Sequence, residues 1–382
     1  MSLRRGFEED ELRARVSRAQ TLMNAQGIAA MLLTREPDVR YFTGFLTRFW
    51  ESPSRPWFLV LPAMGDPIAV IPTIGEKLMA KTWLTDIRTW VSPDPVDDGV
   101  SLLADTLREV AGFDGRIGVP SGPETHLRMP LHSFAALQVL IAPLEITRAE
   151  GIMRTLRCIK SDAEISKISH ACDIAGRAFS RVHEIAREGV SLEEVFRRFQ
   201  MLCLEEGADW VPYLAGGAGP MGYDDVISPA GPEPLMAGDV LMLDTGLVWD
   251  GYFCDFDRNY AIGTPAPEAE AAHAQLVEAA HAGLEAAKPG MRASDLWQVL
   301  ADICGVDESF GRLGHGLGMQ LTEGLSLSYD CDDVLRAGMV ITLEPGVQLP
   351  GGGIMVHEEN VVIRPTGAEA ITGFAKPKLP EL

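Results

Sequence analysis

Two aspartates, one histidine and two glutamates carry the chemistry of this chain. Asp244 and Asp255 lie in the stretch GDVLMLDTGLVWDGYFCDFDRNYAI (238–262), which reads as two β-strands around a tight turn at Trp249, Asp250 and Gly251. A two-residue loop at 249–250 sets Asp244 directly opposite Asp255; a loop at 250–251 shifts the pairing by two. Either register keeps both carboxylates on one face, because strand side chains alternate with period two. Paired carboxylates repel, and a bound cation is the commonest reason to keep them together.

Three later segments offer the remaining ligands. His315 stands between glycines in GHGLG (314–318), where backbone can crowd close to the ring. Glu344 ends the apolar run MVITL and is followed by a Pro-Gly turn. Glu358 lies between IMV and VVI, a setting in which a strand is buried and a charge needs a partner. Four carboxylates and a neutral imidazole suit Mn²⁺, Co²⁺, Zn²⁺ or Fe²⁺. The glycines at 311–318 lack the strand-to-helix turn of a phosphate loop, and their acidic surroundings would repel phosphate.

The elements that position these residues alternate along the chain. Residues 8–26 have helical apolar spacing that ends at Gly27, and strand-like runs follow at 28–33, 57–61, 68–71, 87–91 and 116–119. With helical stretches at 75–83 and 100–110 between them, they make an α/β domain. Ser161 with Glu164 forms a capping box that opens a helix to about residue 187, and a second helix runs from 191 to about 206. Residues 209–238 are glycine- and proline-rich and read as a loop. Helices at 268–287 and 293–303 follow, then strands at 339–344 and 361–364. The domain boundary is placed between 155 and 156.

At 382 residues, two domains are expected, and a formal net charge of −21 speaks against nucleic acid or an anionic membrane as partner. Six scattered cysteines without a CxxC pair read as reduced thiols of a cytoplasmic protein. The charged N-terminus carries no signal-peptide core, and no apolar run reaches membrane-spanning length.

The order Asp, Asp, His, Glu, Glu resembles the creatinase/prolidase/methionine-aminopeptidase family of pita-bread metallopeptidases. LDTG (243–246) followed by the Asp of CDFDR matches the family's paired aspartates, GHGLG its histidine motif and TLEPG (342–346) its first glutamate motif. YFTGF (41–45) is similar to the N-terminal domain of creatinase, prolidase and aminopeptidase P. The resemblance implies an α/β (α+β) chain, with a creatinase-like N-terminal domain over 1–155 and a pita-bread catalytic domain over 156–382. It implies that Asp244 holds one metal, His315 and Glu344 the other, and that Asp255 and Glu358 bridge them. It also implies a homodimer, and a two-metal hydrolase that attacks a C–N amide bond with a metal-bridging hydroxide while Glu344 shuttles the proton. Short Xaa-Pro peptides are the substrates it points to.

The chain departs from the family in the groups that handle the peptide. Thr322 replaces the histidine of a His-Glu pair, Ile227 stands where a second histidine is expected, and no histidine occurs between His183 and His273. Met355 or Val356 occupies the place of an arginine, while His357 adjoins the ligand Glu358. Asp257 and Asn259 replace the threonines that flank Arg258. Losing one preorganised oxyanion donor costs on the order of a hundred- to a thousandfold in rate. Thr322 and His357 are therefore the candidate substitutes in catalysis. A creatinase-like or ectoine-hydrolase-like enzyme, or a lyase, on a small non-peptide substrate is the alternative, and a non-catalytic paralogue is the least supported. The aromatic stretch 49–57 reads as a pocket mouth or as a packing cluster or dimer contact.

Overall fold

The computed structural model describes residues 3–122 and 125–382, so the first two residues of the charged N-terminus lie outside the described residues. The chain divides into two compact units, one ending at Leu156 and the next beginning at Arg157.

The first unit is built on a mixed six-stranded sheet. Its strands are β1 (Ala30–Leu33), β2 (Phe58–Pro62), β3 (Ile68–Pro72), β4 (Ile87–Trp90), β5 (Arg116–Val119) and β6 (Glu145–Arg148), in the order β4-β3-β2-β1-β5-β6. Strands β1 to β3 pair antiparallel, whereas β4, β5 and β6 each join their neighbour in parallel. The central strands are buried along their whole length, which explains their unbroken apolar runs. The helices Val100–Ala111 and Leu131–Ile141 contribute Leu103, Leu107 and Leu137 to the core on this sheet. In the aromatic stretch, Trp50 and Trp57 are buried with ring centroids 5.8 Å apart, and Phe45 stacks on Trp57 at 5.5 Å. Within this unit the stretch is a packing cluster.

The second unit carries the sheet formed by β7 (Trp210–Gly219), β8 (Val240–Trp249), β9 (Tyr252–Phe253) and β10 (Phe256–Ala261), with β8 central between β10 and β7. A second sheet joins β11 (Val340–Leu343), β14 (Glu359–Arg364) and β15 (Gly367–Ala370), and β12 (Gly346–Gln348) pairs with β13 (Ile354–Val356). The helix Asp162–Ser180 begins with the expected capping box: Glu164 N–H donates to Ser161 Oγ at 3.2 Å and Ser161 N–H to Glu164 Oε2 at 3.0 Å. Glu164 also accepts from the Tyr252 hydroxyl at 2.9 Å, which ties this helix to the hairpin. At Ser191 the second helix starts without a side-chain cap.

The loop expected over 209–238 is corrected in its first part, because Trp210–Gly219 is a ten-residue strand on β8. Its glycines serve close approach rather than a turn. Gly216 has φ +145°, and a Cβ there would meet the Met242 carbonyl oxygen. Glycine content therefore hid an extended segment.

The hairpin turns at Asp250 and Gly251, both with positive φ (49° and 80°), as a type I′ turn requires. Lys167 pairs with Asp250 in the buried turn, whose backbone N–H donates to Asp209 at 2.6 Å. Of the two registers open to the sequence, the turn selects the one in which Asp244 faces Asp257. Among the described residues no helix is long and apolar enough to cross a membrane.

Candidate metal centre

Asp255 falls in the break between β9 and β10, where the ladder offers its backbone no strand partner. Asn360 fills that gap. Its Oδ1 accepts from Asp255 N–H at 3.0 Å and its Nδ2 donates to the Asp255 carbonyl. One side chain thus replaces a pair of strand hydrogen bonds and holds Asp255 where β14 begins. Glu358 directly precedes β14, and its N–H donates to Asp257 Oδ1 at 3.0 Å.

His315 is fixed from the other side. Its N–H donates to Thr342 Oγ1 at 3.1 Å, its carbonyl accepts from Thr342 N–H at 2.7 Å, and its Nδ1 lies 3.0 Å from the Gly316 carbonyl. A carbonyl only accepts, so Nδ1 carries a proton, and in the neutral ring Nε2 is then the nitrogen left to ligate a metal. Nε2 lies 3.3 Å from Asp255 Oδ2 and 3.9 Å from Glu358 Oε1. Asp255, His315 and Glu358 are all buried, with ligand atoms within 4.8 Å of one another.

Asp244 and Glu344 extend this cluster. Tyr213 donates to Asp244 Oδ2 at 2.9 Å. Glu344 N–H donates to the Leu313 carbonyl at 3.0 Å, so the Glu344 and His315 segments run side by side. Burial, and then the mutual repulsion of the carboxylates, pushes Asp244, Asp255 and Glu358 well above the usual carboxylate range. Burial raises Glu344 as well, while His315 and Arg312 oppose the rise. Asp244 Oδ1, Asp255 Oδ1, Asp257 Oδ2 and Glu358 Oε1 are buried and accept no hydrogen bond. Four buried oxygens without hydrogen bonds, on residues whose carboxylates repel one another, fit a cation, since burying an unanswered anion is costly.

His357 stands behind these candidate ligands. It is fully buried, with Nδ1 3.2 Å from Asp257 Oδ1 and Nε2 3.1 Å from Glu359 Oε1. Burial alone would lower its pKa, but the two carboxylates outweigh that and raise it. Glu359 also pairs with Arg258 at 3.0 Å, and Arg258 donates to the Gly373 carbonyl at 2.6 Å. Both ring nitrogens of His357 are thus engaged by protein carboxylates.

Thr322 is half-buried on a segment folded back along the histidine loop, where Glu323 N–H donates to the Gly316 carbonyl at 2.8 Å. The neighbouring Glu323 is buried between Arg157 and Lys160, with Lys160 Nζ at 3.1 Å.

Two residues near the candidate ligands were not singled out for a role from sequence. Asp257 faces Asp244 across the sheet, and only the register reveals that its carboxylate joins the cluster. Arg312 is exposed, three residues before His315, and its charge acts on Asp255 and Glu344. Its spacing from the GHGLG motif was the one signal available.

Residues 166–365 match metallopeptidase family M24, and residues 15–159 match the creatinase/prolidase N-terminal domain. An uncharacterized peptidase of Staphylococcus saprophyticus is 30% identical over 368 residues, covering 93% of this chain and 97% of that protein. The dipeptidase PepE from Mycobacterium ulcerans superposes with a TM-score of 0.83 at 27% identity, over 98% of this chain and 99% of that one. The Xaa-Pro dipeptidase from Bacillus anthracis, at 23% identity, shares the fold with a TM-score of 0.84 over 97% of this chain and all (100%) of that one.

Proposed function

The chain belongs to metallopeptidase family M24, with a creatinase-like domain ahead of a pita-bread domain, and from that premise we propose a two-metal amide hydrolase acting on Xaa-Pro dipeptides or short Xaa-Pro peptides. The observation that carries this reading is the buried cluster of Asp255, His315 and Glu358, with carboxylate oxygens of Asp244, Asp255 and Glu358 left without hydrogen bonds. Asp244, Asp255, His315, Glu344 and Glu358 would hold two divalent ions, with Asp255 and Glu358 shared, and Mn²⁺ suits this oxygen-rich set. When bound, such ions supply Lewis acidity and bring a water's pKa towards neutrality.

The chain's own groups do the rest. The Glu344 carboxylate takes the proton of the attacking water and delivers it to the leaving nitrogen. Thr322 offers a hydroxyl to the substrate oxygen. Arg312, exposed beside the ligands, attracts the carboxylate of a dipeptide. His357, engaged at both nitrogens, orients Asp257 and Glu359 instead of touching substrate. A cytoplasmic setting accords with the free, mostly buried thiols, and a homodimer accords with the family resemblance.

Thr322 in place of histidine favours a second reading, a small non-peptide amide or cyclic amidine as substrate. Mn²⁺-replete protein assayed for proline release from Ala-Pro and Gly-Pro tests the first reading. Release supports the dipeptidase; turnover of non-peptide amides alone replaces it with the second reading.

A further inference from the structure

Asp257 occupies a position where the family resemblance leads one to expect threonine. On β10 it lies directly opposite Asp244 on β8, so the two side chains share a face. It is 1% exposed. Its Oδ1 is held by Glu358 N–H at 3.0 Å and His357 Nδ1 at 3.2 Å, which fixes the plane of the carboxylate. Its Oδ2 is buried and accepts no hydrogen bond. After burial, the Asp257 charge is among the influences that raise Asp244, Asp255 and Glu358, and it also raises Glu344. Its pairing with Asp244, its contact with the Glu358 N–H and its place two residues after Asp255 set it beside three of the carboxylates assigned to the metals.

A threonine there would bring one neutral hydroxyl. Aspartate instead brings two oxygens, and buried polar groups hold one of them from behind. His357 meets carboxylates at both nitrogens, Asp257 on one side and Glu359 on the other, and Arg258 answers Glu359. These contacts engage Oδ1 and leave Oδ2 of Asp257 uncommitted.

We propose that Asp257 is a further oxygen donor to the metal centre, which hardens the site and turns its preference from Zn²⁺ towards Mn²⁺. The proposal rests on the two-metal reading above. Harder, oxygen-rich donor sets favour Mn²⁺, and imidazole- or thiolate-rich sets favour Zn²⁺.

The test is direct titration of the chelator-stripped full-length protein with Mn²⁺ and with Zn²⁺, by calorimetry and elemental analysis, for wild type, Asp257→Thr and Asp257→Asn. Asp257→Asn retains an oxygen for the Glu358 N–H, so it keeps the backbone contact while removing the anion. Both variants should bind Mn²⁺ roughly 10- to 100-fold more weakly at one site. Zn²⁺ binding should fall clearly less, so that the Mn²⁺/Zn²⁺ preference drops. Folding is checked by circular dichroism. An Asp257→Asn protein with the wild-type preference overturns the donor role and leaves Asp257 as a backbone acceptor. Wild-type protein that binds neither ion overturns the two-metal reading, and this proposal with it.

Discussion

Asp255→Asn should change the stability of this protein in opposite directions with and without metal. The Asp255 backbone is held by Asn360, so the variant loses a charge without losing its anchor. In metal-free protein Asp255, His315 and Glu358 present ligand atoms within 4.8 Å of one another. At an effective dielectric of about 20, two like charges at that separation repel by about 3.5 kcal/mol. Protonating one carboxylate avoids the repulsion at a comparable cost, because burial and repulsion already hold these groups well above the usual range. The neutral amide removes either cost, so the variant should be more stable than wild type in chelator by up to about 3 kcal/mol. Melting would rise by roughly 2–4 °C per kcal/mol for a domain of this size. With Mn²⁺ the order reverses. A ligand at a thousand times its dissociation constant stabilises by about 4 kcal/mol, and a variant lacking the shared ligand forgoes most of that. Thermal melts of both proteins in chelator and in Mn²⁺, with turnover measured alongside, decide the matter. A variant less stable than wild type in chelator, yet equally stabilised by Mn²⁺, would refute both the repulsion argument and the bridging role.

Two further outcomes follow from buried titratable groups outside the candidate metal site. His273 is held neutral by burial, its pKa lowered from 6.5 to about 4, with Nε2–H donating to the Lys376 carbonyl at 3.0 Å. A depressed folded-state pKa contributes stability above the unfolded value that is lost as pH falls through the folded one. Urea melts should therefore show wild type losing up to about 3 kcal/mol between pH 6.5 and 4 through this group, and His273→Gln should flatten that slope. Glu323→Ala should cost about 3–5 kcal/mol in urea denaturation, because Arg157 and Lys160 would keep their burial and lose their shared carboxylate; a loss under 1 kcal/mol would show that water reaches the site.

Residue type and order alone singled out Asp244, Asp255, His315, Glu344 and Glu358 and suggested a cation for them, because donor chemistry belongs to side chains and can be read without a fold. The capping box at Ser161 was equally legible, since its four residues are contiguous. The Gly-rich strand β7 was not. Its glycines look like a turn until β8 lies beside them, and only then does close backbone approach explain Gly216. The hairpin left two registers open, and the positive φ of Asp250 and Gly251 chose between them. That choice put Asp257, rather than Asp255, across from Asp244 and left Asp255 in a break that Asn360 spans from 105 residues away. His357 looked from its neighbour Glu358 like a group for substrate, yet the fold sets it between Asp257 and Glu359. Which groups are suited to a cation follows from their own chemistry. Which of them face one another, and which stand behind, depends on strand register and long-range pairing, and those are decided only when distant segments meet.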